Sequence, residues 1–234
     1  MLKTAICAAL LSITALAQAA PVVYFGANQS PGNAVSGAPA TARNSFLSNL
    51  SGVGSEGFEG FADDTGAPLN LIFTGSSGSL AAQLTGQGAI DDINGAGRFN
   101  TTPAGGHFYA VSGAFVITFQ TAVSAFGFYG TDIGDFEGEL TIELTDAANN
   151  VTALALPSTL NSNNGALHFF GFIDATTSYT RISFGNTQSR NDIFGFDDMV
   201  IGDRQQVVIP VSAPGTLALV GLGLVGLGLS RRKA

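Results

Sequence analysis

Glu139-Leu140-Thr141-Ile142-Glu143-Leu144-Thr145 alternates apolar and polar residues without a break. Neighbouring side chains of an extended strand point to opposite faces, so Leu140, Ile142 and Leu144 share a buried face while the Glu and Thr residues meet water. The same pattern appears on both sides of this stretch. Ala114-Phe115-Val116-Ile117-Thr118-Phe119 puts Phe115, Ile117 and Phe119 together, and Arg181-Ile182-Ser183-Phe184 repeats the alternation. Residues 123–129, 166–172 and 194–201 add apolar or aromatic runs. Turn-forming clusters such as Asp146-Ala147-Ala148-Asn149-Asn150 separate them at short spacing. Many short strands with no helical periods between them predict an all-β chain, an antiparallel sandwich. One helix is expected over 39–50, where Ala42, Phe46, Leu47 and Leu50 follow helical spacing and Gly52 ends it. It is expected to pack against an open end of the sandwich.

The composition narrows the function. Of 234 residues, 11% are charged and 45% are apolar, which is no disordered composition. Nine Lys and Arg stand against 17 Asp and Glu. That balance argues against a nucleic-acid partner, which needs clustered cations to displace counterions from phosphates. The charges are also segregated. Residues 20–214 carry five Arg, no Lys and all 17 acids, a net of −12, while Lys3 and the trio Arg231, Arg232 and Lys233 lie at the two ends.

The ends read as signals. Lys3, the apolar run 6–16 and the small residues Ala17 and Ala19 read as a secretory signal, with cleavage expected after Ala19 or, one residue on, after Ala20. The single cysteine, Cys7, is inside it, so the mature chain has neither a disulfide nor thiol chemistry. At the other end, 214–229 is an almost wholly apolar, Gly-studded run followed by Arg231-Arg232-Lys233. As a helix it would be about 24 Å long, somewhat short of the roughly 30 Å hydrocarbon core. The basic cluster places the C-terminus in the cytoplasm and the bulk of the chain outside. The chain thus divides into a signal (1–19), a β-sandwich body (20–206) and a sorting and anchoring tail (207–234).

Pro214, Gly215, Thr216, the Gly-Leu-Gly run and Arg231-Arg232 make this tail resemble the PEP-CTERM sorting signal of Gram-negative bacteria, with Ser212-Ala213 standing where that family has Pro-Glu. The tail is also catalogued as an ice-binding-protein C-terminal domain, a label that by itself implies no ice binding. The resemblance implies export, retention in the inner membrane, processing by an exosortase, and release to the surface in an exopolysaccharide setting. The segments Gly57-Phe58-Glu59-Gly60-Phe61, Phe126-Gly127-Phe128, Phe170-Gly171-Phe172 and Phe194-Gly195-Phe196 are also typical of such exported bodies, which are similar to the jelly-roll sandwiches of lectins and carbohydrate-binding modules.

Chemistry is less clearly specified. Tight acidic clusters occur at Asp63-Asp64, Asp91-Asp92, Asp132 with Asp135 and Glu137, and Asp197-Asp198. Ca²⁺ takes six to eight oxygen ligands, so such clusters are its natural candidates, although solvated loop carboxylates are the plainer reading. Jelly-roll resemblance implies a structural Ca²⁺ between Glu59 and Asp197 or Asp198. Asp132, Asp135 and Glu137 form a second candidate. Tyr129, close to Asp132, is the best local aromatic for sugar binding. His107 and His168 lie far apart and offer no metal spacing, and Gly75-Ser76-Ser77-Gly78-Ser79 reads as a flexible loop. The expected function is a non-catalytic structural or adhesive one at the surface or in the matrix. A calcium-dependent lectin is the alternative, and a polysaccharide-active enzyme the third reading.

Overall fold

The alternating stretch around Ile142 forms a strand, Leu140–Asp146, in the computed structural model of the chain, which describes residues 20–188 and 192–208. In chain order the elements are β1 (Val22–Asn28), α1 (Gly37–Leu47), β2 (Gly54–Glu56), β3 (Leu69–Gly75), β4 (Gly78–Gly86), β5 (Ala89–Asp91), β6 (Phe108–Val111), β7 (Phe115–Val123), β8 (Ala125–Thr131), β9 (Leu140–Asp146), β10 (Val151–Ala153), β11 (Leu167–Ile173), β12 (Tyr179–Asn186) and β13 (Phe194–Gly202). Every strand pair is antiparallel, and the main path runs β1-β11-β8-β13-β2-β3-β4-β7-β12-β9-β10.

That sheet curls until its two halves face each other. Phe128 on β8 meets Phe184 on β12 at 5.8 Å, and Phe115 on β7 meets Phe196 on β13 at 5.0 Å. Phe115 and Phe184, paired across β7 and β12, stack at 4.3 Å. The predicted all-β, jelly-roll-like sandwich is therefore present, with phenyl rings as its filling. Each buried aromatic removes roughly 150–250 Å² from water, which suits a body without disulfides.

The two halves differ outside. On β3, β4, β7 and β12 alternation holds, and Asn70, Gln83, Thr118 and Arg181 lie in register on an open polar face. β8, β11 and β13 are instead buried on both faces. Helix α1 is the cause. The expectation of a helix at an open end of the sandwich is corrected: α1 lies flat on the outer face of β1, β11 and β8. Ala42 and Phe46 join Tyr129, Phe169, Ile173 and Val200 in a second core there. A helix of this length draws its stability from such packing rather than from its own propensity.

This outer layer explains the Phe-Gly-Phe repeats. In 126–128 and 170–172 the phenylalanines point into the sandwich while the central glycine points outward under Phe46 and Phe169. A Cβ on Gly127 would sit 2.9 Å from Phe169 and 3.1 Å from Phe46. Gly171, paired with Gly127 across β8 and β11, is equally tight. A third glycine, Gly26 on β1, leaves room for the Ala38 carbonyl of the helix.

Two further differences from expectation are local. Gly75-Ser76-Ser77-Gly78 is the turn of the β3–β4 hairpin, with Gly75 and Gly78 paired and Gly78 at φ +116°. Val207 bridges Leu50 and packs in the second core, and the Val208 amide donates to the Asn49 carbonyl, so both are tied to the body. Ala17, Ala19, Pro214, Gly215, Thr216, Arg231, Arg232, Lys233 and the expected C-terminal hydrophobic helix lie outside the described residues. Among the described residues no helix is long and apolar enough to cross a membrane.

Candidate functional site

The acidic residues singled out in the sequence do different jobs. In β13, Phe194 and Phe196 face the sandwich, and so do Met199 and Ile201. The pairing with β8 slips by one residue between Asp197 and Val200. This β-bulge, with Asp198 at φ +48°, turns two consecutive carboxylates toward the outer layer. Asp197, 1% exposed, accepts the amides of Thr101 (2.6 Å), Thr102 (3.0 Å) and Asp198 (2.6 Å) and the hydroxyls of Thr101 and Thr102. Burial pushes its carboxyl up to about 7 against these donors. Asp198 instead pairs with Arg43 of α1 at 2.9 Å, tying helix to sheet.

Glu59, in the turn after β2, accepts the amides of Gly106 (2.9 Å) and His107 (3.1 Å). Glu59 and Asp197 thus brace two ends of one loop, residues 101–107. The structure does not bring Glu59, Asp197 and Asp198 together: backbone amides or Arg43 already fill their oxygens. Among the described residues one trio of acids does converge, Asp63, Asp91 and Asp92, with ligand atoms within 4.8 Å of one another. The backbone bonds Asp64–Ile90 and Ile90–Thr65 bring the two acidic pairs side by side, a long-range contact that sequence spacing does not reveal.

Tyr129 is not a surface aromatic. It is 3% exposed, set edge-on against Phe169 and overlaid by Arg43 at 5.6 Å. Burial pushes its hydroxyl up to about 12. His168 is buried between Phe25 and Phe170, and burial lowers it to about 4, so it is neutral at pH 7. Its Nε2 lies 3.3 Å from the Ser162 hydroxyl, which itself donates to the Thr159 carbonyl at 2.7 Å. His168 Nδ1 has no partner, so the third group that orients a catalytic imidazole is missing from this pair.

The loop between β8 and β9 assembles a different group. Asp132 is buried, with φ +63°. It accepts the Gly165 amide at 2.9 Å and lies 3.6 Å from Arg98. Burial raises it to about 6 against that amide and that cation. Beneath the loop, Asp192 accepts the amides of Gly134 (3.3 Å) and Gly138 (3.0 Å). A Cβ on Gly138 would collide with that carboxylate, so the glycine is needed for the close approach. Above it, Phe136 is 59% exposed, with Asp135 and the exposed Glu137 on either side. Among the described residues it is the one aromatic that counts among the exposed large apolar side chains. Asp132 and Asp135 thus share a site with Asp192, as Asp135 and Asp192 are in contact, whereas Glu137 shares only the loop. Asp192 and Phe136 are not among the residues that the sequence patterns mark. A lone Phe in the polar, non-alternating run 131–139 was the available signal; nothing in the sequence marked Asp192.

The geometry can be set beside known proteins. No curated protein matches the chain. Similar solved structures include a CBM29-2 mutant of the family 29 carbohydrate binding modules, with 12% identity and a TM-score of 0.33 over 68% of this chain and 97% of that one. The C-terminal family 22 carbohydrate binding module of Clostridium thermocellum Xyn10B has 9% identity and a TM-score of 0.35, over 66% and 95%. TmCBM61, solved with β-1,4-galactotriose, has 11% and 0.29, over 52% and 88%. Residues 210–233 match the model of the PEP-CTERM protein-sorting motif, so the chain closes on a sorting signal of that family.

Proposed function

We propose that this is an exported, non-catalytic component of the cell surface or extracellular matrix that contacts polysaccharide through the Phe136 loop. The observation that supports it is Phe136 itself: an exposed phenyl group, flanked by Asp135 and Glu137, in a body that buries nearly all its other rings. A phenyl face suits the apolar face of a sugar ring, and the flanking carboxylates accept its hydroxyls. The loop is preorganised, because Asp192 grips its amides from below and its own Asp132 is anchored to the Gly165 amide. A loop held in its bound form loses little entropy on binding.

The route to the matrix follows from the ends. The N-terminal signal is removed after Ala19 by the export machinery. The tail then holds the chain in the inner membrane of a Gram-negative cell, with Arg231-Arg232-Lys233 in the cytoplasm, until an exosortase cuts it. The test of the binding reading is affinity electrophoresis of the full chain in gels containing the producing cell's exopolysaccharide. Phe136→Ala should abolish retardation with the melting temperature unchanged. Equal mobility with and without polysaccharide would refute the reading, as would equal retardation of parent and variant.

A further inference from the structure

Asp192, just before β13, is fully buried at 0% exposure. Its Oδ2 takes the Gly134 and Gly138 amides, but its Oδ1 has no hydrogen-bond partner. Asp135, half-buried on the loop above, also keeps a buried Oδ1 without a partner. The two carboxyl groups are in contact with each other. Neither can donate when ionised, so the pair can meet only across a shared proton or a cation. Asp132 adds a third negative charge and Arg98 is the cation beside it, so among the described residues the local excess is −2.

We propose that Asp135 and Asp192 hold a divalent cation, Ca²⁺, between their unpartnered oxygens. A hard dication takes oxygen ligands, supplies +2 and tolerates a mixed shell of carboxylates, backbone carbonyls and water. A shared proton would pair the two orphaned oxygens but leave a net negative charge on the site. The backbone amides on Asp192 favour its ionised form, while burial and the facing Asp135 push it up to about 6, so a cation competes with a proton there. Asp135, reachable from solvent, is the entry side. The ion would fasten the β8–β9 loop to the start of β13, two segments more than fifty residues apart. The proposal shares Asp135 with the polysaccharide reading but is read by stability alone, so either can fail without the other.

The experiment is thermal unfolding of the full chain after EDTA treatment, with CaCl₂ then added. A ligand at a hundredfold excess over Kd should raise Tm by about 5–10 °C in a protein of this size. Asp91→Asn, which alters the Asp63–Asp91–Asp92 trio, should keep that shift, and Asp135→Asn should lose it. In EDTA, Asp135→Asn should be at least as stable as the parent, because its amide can donate to Asp192. Asp135→Ser repeats the test if the amide variant does not fold. Two results would overturn the site. One is a shift lost in Asp91→Asn but retained in Asp135→Asn. The other is no Ca²⁺ shift in the parent, whose stability in EDTA instead rises from pH 7 to pH 5 in a manner that Asp135→Asn removes, which is the signature of a shared proton.

Discussion

Replacing Gly127 with Ala should destabilise the protein, although the same change in most strands is neutral or favourable. The added Cβ would lie 2.9 Å from Phe169 Cζ, 3.1 Å from Phe46 Cε1 and 3.2 Å from Phe46 Cζ. Both rings are fully buried, so neither can swing into solvent. Phe46 is held by Tyr24 at 5.7 Å and Phe169 by Tyr129 at 5.5 Å. Overpacking of this kind costs about 1–3 kcal/mol. The alanine also restricts the unfolded chain, which returns about 0.4–1 kcal/mol. The net expected loss is about 1–2 kcal/mol, measured as a shift of the urea midpoint at constant slope. Phe46→Leu vacates part of the space that the new methyl group needs. In the double variant, Gly127→Ala should therefore cost less than it does alone, with a coupling of about 0.5–3 kcal/mol. If Gly127→Ala leaves the midpoint unchanged or raises it, or if the two changes simply add, the outer layer is softer than the geometry says and the account of the Phe-Gly-Phe repeats fails.

Other predictions test the remaining links. Arg43→Ala strands Asp198 in the outer layer. Removing one member of a buried pair costs about 3–5 kcal/mol, and the partial exposure of Arg43 places the expected loss at or below the lower bound, read by urea unfolding. Asp197, pushed up to about 7 from an ordinary 3.8, holds its proton in the folded state after the unfolded chain has lost its own. Its contribution therefore weakens stability progressively as pH rises from about 4 to 7, and the decline should be shallower in Asp197→Asn, as unfolding midpoints across that range would show. Asp146 and Asp174, whose carboxyls are lowered by hydrogen bonding from Asn150 and, against burial, from Tyr179 and Thr176, act below that window. The same Asp197→Asn variant puts an amide among donors, so it should also lose about 1–3 kcal/mol at neutral pH. Neutralising Arg231, Arg232 and Lys233 with Gln should release the chain from the membrane fraction. Unchanged fractionation would sink the topology assigned to the tail.

Some of this was legible in the amino-acid order alone. Strands β7, β9 and β12 each have one wet face, so the period of two is written directly in Phe115-Val116-Ile117, Leu140-Thr141-Ile142 and Ile182-Ser183-Phe184. Helix α1 was recognised because Ala42, Phe46 and Leu47 repeat at helical spacing. The sorting motif was legible because it is a linear pattern, independent of any fold. β8, β11 and β13 showed only as apolar runs, since burial on both faces erases alternation. What covered their second face could not be read from them.

The sequence by itself determined the fold class, the core rings and the signal-bearing tail, because periodicity, composition and short linear motifs are local properties. The tertiary structure decided where the helix lies, why glycine separates the phenylalanines, and which acids meet. Asp197 and Asp198 look like one cluster in the chain, but a single bulge sends one to a loop and the other to the helix. Asp135 and Asp192 look unrelated, but they come into contact. The reason is that charge pairing and close packing depend on distances across the sheet, which residue spacing does not encode.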